Sequence, residues 1–74
     1  MMTDINREKI IAYVSQLKEL CDKENRKSHE RIISPWHFAE LLKEPVHECH
    51  GLMMTIEILK PRKTAHHFNT FEIL

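Results

Sequence analysis

Apolar residues recur at intervals of three and four along the first part of the chain. Ile10, Val14, Leu17 and Cys21 carry the stripe, and Tyr13 and Leu20 widen it. That spacing predicts an amphipathic helix over about residues 4–24. Thr3 is placed to cap it, and Asp4 and Glu8 stand near the positive end of its dipole. Glu19 and Lys23 are spaced as an i,i+4 pair in the favourable order. The stripe ends at Asp22-Lys23-Glu24-Asn25, and a charged connector follows over residues 25–33.

A second helix, residues 34–44, has a sharper start signal. Ser34 can accept from the exposed backbone amides and Pro35 suits the first helical position. Ile33 and Phe38 have the spacing of a hydrophobic staple, with Leu41 and Leu42 further along the inward face. Pro45 disfavours the α-conformation at Glu44, which ends the helix.

The run 46–59 fits two periods. As a helix, Val46, Cys49, Met53 and Ile56 share a face. As a strand, Met54, Ile56 and Ile58 alternate with Thr55 and Glu57. Gly51 weighs toward the strand, because glycine inside a helix costs about 1 kcal/mol relative to alanine. Residues 60–63 read as a basic turn and 66–74 as a strand, whose edge would be open to a partner. The expected fold is mainly α with a small β element: two or three helices, then a C-terminal strand or β-hairpin. An alternative keeps 46–59 helical. Three helices, a basic turn and a terminal strand then resemble the layout of a winged helix-turn-helix domain. In that layout Pro35–Lys43 supports, Val46–Leu59 reads and Lys60–Lys63 forms the wing.

Size bounds what this fold can do. Seventy-four residues make one small domain. Such a chain buries only about 60% of the surface it exposes when unfolded, so a partner or a second copy would help it. Its 11 basic and 11 acidic residues balance, which argues against a protein built mainly to neutralise phosphates. The balance is made of blocks. Arg26, Lys27 and Arg31 outnumber Glu30, and Lys60, Arg62 and Lys63 outnumber Glu72. Between them Lys43 alone opposes Glu40, Glu44, Glu48 and Glu57. Six histidines add a charge that changes across mildly acid pH. The polar N-terminus has no apolar targeting core and no run is long enough to span a membrane. A cytoplasmic protein with reduced Cys21 and Cys49 is the expectation.

Candidate chemistry is sparse. His47, Cys49 and His50, joined by His66, form a candidate zinc set of non-standard spacing. Cys49 beside His50 is a poor nucleophile pair, since adjacent helical residues do not face each other. Gly51, the sole glycine, rules out a glycine-rich phosphate loop, and no carboxylate pair is set up for acid–base work. The expectation is a non-enzymatic protein without a cofactor. Its most economical role is binding another protein, as an inhibitor or adaptor of the size carried by mobile elements, with homodimerisation open. Trp36, Phe68 and Phe71 are the aromatic interface candidates and Glu40, Glu44 and Glu48 the acidic ones. The rival is a nucleic-acid-binding regulator working through Arg26, Lys27, Arg31, Lys60, Arg62 and Lys63. A zinc-binding module is the third reading. The charge of 46–59 disfavours the rival, because a helix that reads DNA brings Arg, Lys, Asn or Gln to the bases.

Overall fold

The computed structural model describes residues 2–63 and 68–74, with side chains for all of these except 2, 3, 63, 68 and 69. The protein is mainly α with a small β element: three helices and a three-stranded antiparallel sheet. Helix α1 spans Met2–Lys23. A 3-10 turn follows at Ser28–Glu30, then β1 (Ile32–Ile33), α2 (Pro35–Leu42), α3 (Val46–Met53), β2 (Leu59–Lys63) and β3 (Phe68–Ile73).

The helical stripe of α1 packs as its spacing predicts. Ile10, Val14 and Cys21 are buried, and Tyr13 and Leu17 pack against the core. Its start differs from expectation, since the helix begins at Met2 and Thr3 lies inside it. Asp22, not Glu19, makes the ion pairs: Lys18 approaches it at 3.3 Å and Arg31 at 2.8 Å.

The connector holds more structure than its charge suggests. The Lys27 amide donates to Glu30 at 2.9 Å, closing the 3-10 turn. Ile32 and Ile33 then pair with Glu72 and Phe71 as a two-residue strand.

Ser34 caps α2, its Oγ accepting from the Trp36 amide at 3.1 Å, with Pro35 in the first turn. The helix stops two residues before the sequence limit because Lys43 turns left-handed at φ 58°. The Glu44 amide then donates to the Ala39 carbonyl at 3.2 Å. This turn and Pro45 join α2 to α3 as a helix–turn–helix pair.

The two readings of 46–59 each describe part of it. Val46 to Met53 is helical despite Gly51. A side-chain stop then ends the helix: Thr55 Oγ1 donates to the Leu52 carbonyl at 2.6 Å. Arg7 of α1 holds this turn, its guanidinium donating to Thr55 Oγ1 at 2.9 Å and to the Thr55 carbonyl at 3.1 Å. The strand begins only at Leu59. Met54, Ile56 and Ile58 therefore lie in a turn, not a strand.

The expected basic turn at 60–63 is strand β2. Leu59 to Lys63 pairs antiparallel with β3, Leu59 opposite Ile73 and Arg62 opposite Thr70, with an irregularity between Arg62 and Lys63. The segment expected to be the strand 66–74 forms β3 from Phe68, and residues 64–67 lie outside the described set. The strand order is β1-β3-β2. β3 is central and paired on both sides, so the open edge expected of the terminal strand does not exist.

The core lies between the helices and the inner face of this sheet. Phe38, Cys49 and Met53 enter from α2 and α3, and Ile33, Leu59, Phe71 and Ile73 from the strands. Alternation sends Lys60, Arg62 and Glu72 to the outer face. Among the described residues, no helix is long and apolar enough to cross a membrane.

Candidate interaction surface

Three faces compete for a functional role: the outward side of α2 and α3, the outer face of the β2–β3 hairpin, and a basic cleft beside the 3-10 turn.

On α2, Phe38 faces the core, and Trp36 and Glu40 lie at four-residue spacing on the opposite side, with the exposed Lys43 just past the helix end. Trp36 is 67% exposed. Its neighbour His37 instead turns toward α1, at 2.8 Å from the Tyr13 hydroxyl. Tyr13, His37 and Phe38 form an aromatic group with ring centroids 5.1–5.4 Å apart. Leu41, one turn beyond His37, is 54% exposed.

On α3, Cys49 and Met53 are fully buried. His47, Gly51 and Met54, spaced by four and three, make the opposite face and are exposed. Glu48 flanks them on the side of α1, sharing a surface hollow with Asn6, Gly51 and Leu52. His50 flanks them on the side of the sheet, its ring 5.4 Å from that of Phe71. The His50 Nε2 is buried with no hydrogen-bond partner among the described residues.

Glu44 and Glu48 stand where these helices meet, Glu40 lies on the outward side of α2, and Glu57 lies in the turn after α3 beside Arg7 of α1. Burial foremost, then the charges of Glu44 and Glu48, push the Cys49 thiol above its ordinary pKa. Glu40, Glu44, Glu48 and Glu57 make no ion pair among the described residues. This surface is acidic with an aromatic at one end.

The sequence candidates separate in space. Trp36, Glu40, Glu44 and Glu48 share the helix–turn–helix unit. Phe71 does not join them. It is fully buried, paired to Ile33 on one side and Pro61 on the other, so it is a core residue and not an interface residue. The side chain of Phe68 lies outside the described residues. Leu41 and Met54, both more than half exposed, were missed. Their apolar character reads as core in any periodic analysis, and only the turns at Lys43 and Thr55 reveal that they face outward.

The basic candidates divide as well. Arg31 is committed to structure: it pairs with Asp22 and donates to the Arg26 carbonyl at 2.9 Å. Arg26 pairs with Glu24 at 2.6 Å. Lys27 shares a cleft with both, next to Glu72 and the chain end at Leu74. Lys60 and Arg62 are exposed and have no ion-pair partner among the described residues. The side chain of Lys63 is outside the described set. β3 separates this hairpin edge from Arg31, by roughly 10 Å at ordinary strand spacing.

The zinc candidates do not converge. Cys49 points into the core, His47 is exposed on the opposite side of α3, and His66 lies outside the described residues. Among the described residues no three His, Cys, Asp or Glu side chains come together as a metal site. No protein-family model matches the chain, and neither a curated protein nor a solved structure does.

Proposed function

We propose that this protein is a small non-enzymatic regulator that binds another protein through the outward side of α2 and α3. The observation that carries the reading is Trp36. It is a large aromatic two-thirds exposed, one helical turn from Glu40, on a unit whose three glutamates, Glu40, Glu44 and Glu48, are unpaired among the described residues. A rigid aromatic beside charge is the composition of an interface anchor and its rim. The complementary partner offers an apolar pocket bordered by Lys or Arg. A cytoplasmic setting, where both buried thiols stay reduced, fits this role.

Site-directed photo-crosslinking tests it. At high salt, a photoreactive side chain at Glu40 should trap a protein other than this chain, and one at Lys60 should not. Trp36→Ala should then weaken the purified complex by about 30-fold or more, the effect of losing a hot spot. A complex indifferent to Trp36 would refute the assignment.

A second reading is favoured by the layout. A helix–turn–helix pair followed by a basic hairpin is winged-helix-like, and Lys60 and Arg62 are free to touch phosphates. Against it, the exposed face of α3 offers His47, Gly51 and Met54 flanked by Glu48, with no Lys or Arg. Binding to random duplex that weakens steeply with salt would support this second reading.

A further inference from the structure

The charge blocks of the sequence become two surfaces on opposite sides of one core. Phe38, Cys49 and Met53 point inward from the helices, and Leu59, Phe71 and Ile73 point inward from the sheet. Trp36, Glu40 and Glu48 therefore face away from Lys60 and Arg62. Every ion pair of the described residues lies elsewhere, between α1, the segment after it and Arg31. The helical acids and the hairpin cations are thus both unsatisfied, in a molecule whose formal charge is zero. Lys43, just past the end of α2, and Glu72 opposite Lys60 weaken each patch without reversing its sign.

We propose that the occupant of the acidic α2–α3 surface, when no other partner is bound, is the basic hairpin of a second copy of this chain. The inference rests on reading α2–α3 as a binding surface and names a partner for it. Strand addition is not the route. β2 carries Pro61, which lacks a donor, between Lys60 and Arg62, and these are the features that block edge pairing. Side-chain contact remains, with Trp36 as the apolar element and Glu40, Glu44 and Glu48 facing Lys60 and Arg62. Because the two patches differ and point apart, the contact is head-to-tail. It leaves a free acidic end and a free basic end, so it extends and does not close. A standard interface would cover about 800 Å² per partner of the 5289 Å² surface. Charge-driven contact between solvated groups is weaker than that standard, and salt screens it.

Sedimentation velocity tests this with neutralised variants, each first shown by circular dichroism to be folded. At about 20 mM salt, where the screening length is tens of ångströms, the wild-type average mass should climb with concentration. At about 500 mM salt it should fall to the monomer. Glu40→Gln/Glu44→Gln/Glu48→Gln should be monomeric at low salt, and so should Lys60→Gln/Arg62→Gln. Mixed in equal amounts, the two variants should form a capped pair of one chain each that grows no further. The first retains a hairpin and the second an acidic face. A wild type that stays monomeric at low salt overturns the proposal. Self-association that survives in either variant also overturns it, as does a mixture that remains monomeric. A foreign protein bound through Trp36 by a monomeric wild type would sink self-association alone and leave the proposed function standing.

Discussion

Trp36 and Phe71 look alike in sequence, as aromatics beside polar residues, and the fold assigns them opposite work. Phe71 is fully buried in the sheet centre, against Ile33, Pro61 and the His50 ring. Trp36 is 67% exposed. Truncating a buried Phe to Ala costs about 3–5 kcal/mol through lost transfer energy and the cavity left behind. A chain of this length has about 4–11 kcal/mol in total, at 0.05–0.15 kcal/mol per residue. Phe71→Ala would therefore unfold a large share of the molecules. The informative variant is Phe71→Leu, which keeps most of the apolar volume and should cost about 1–2 kcal/mol. Trp36→Ala removes little buried area and should fall within about 0.5 kcal/mol of wild type.

Urea unfolding followed by far-ultraviolet circular dichroism reads both. With a slope near 1 kcal/mol/M, expected for so small a domain, Phe71→Leu lowers the midpoint by about 1–2 M and Trp36→Ala by less than about 0.5 M. Binding should reverse the ranking, with Phe71→Leu leaving affinity intact and Trp36→Ala losing it. If Trp36→Ala were the more destabilising of the two, the outward placement of Trp36 would be wrong. The proposed function would then lose its anchor.

Gly51 sits inside α3 with nothing within 4 Å of where a Cβ would stand, and its φ is not positive. Gly51→Ala should therefore raise stability by about 0.5–1 kcal/mol, a gain of roughly 2–8 °C in Tm in a calorimetric scan. Lys43 holds a left-handed conformation that a side chain adopts at a cost, so Lys43→Gly should leave stability unchanged or raise it by about 0.5 kcal/mol in urea. Cys21 and Cys49 are both buried, and neither should react with a thiol reagent until the chain is denatured. The folded state holds the Cys49 thiol above its ordinary pKa. Its contribution to stability is complete below the unfolded thiol value of about 8.5 and is lost as pH rises through the folded one. Urea midpoints should thus fall on the alkaline side, and Cys49→Ala should flatten that fall.

Local signals were the legible ones. Ser34-Pro35 announced α2 because a cap and a first-turn proline act through their nearest neighbours. The stripe from Ile10 to Cys21 announced α1 because burial repeats along it. β1 was not legible, since two residues have no period and Ile32–Ile33 become a strand only by meeting Glu72 and Phe71 some forty positions later. The break in 46–59 was hidden for the same reason. Thr55 stops α3 while held by Arg7, from the other end of the chain. Phe71 could have been read correctly: it alternates with Thr70 and Glu72 and is followed two residues later by Ile73, the pattern of an inward strand face.

The edges of the sheet decide how this molecule can meet others. An exposed strand recruits partners through backbone groups with little regard to side chains. Here β3 is paired on both sides, β1 is two residues long, and β2 breaks its outer row at Pro61 between two cations. Contact is therefore left to side chains, and the exposed large apolar ones are Ile5 and Leu20 on α1, Trp36 and Leu41 on α2, Met54 just after α3, and Leu74, with Trp36 the most exposed of them. A surface of that kind discriminates among partners by charge and shape, which an open strand edge could not do. On the proposed function, the placement of Glu40, Glu44 and Glu48 on the unit that carries Trp36, with Lys60 and Arg62 on the far side of the core, would favour partners carrying positive charge.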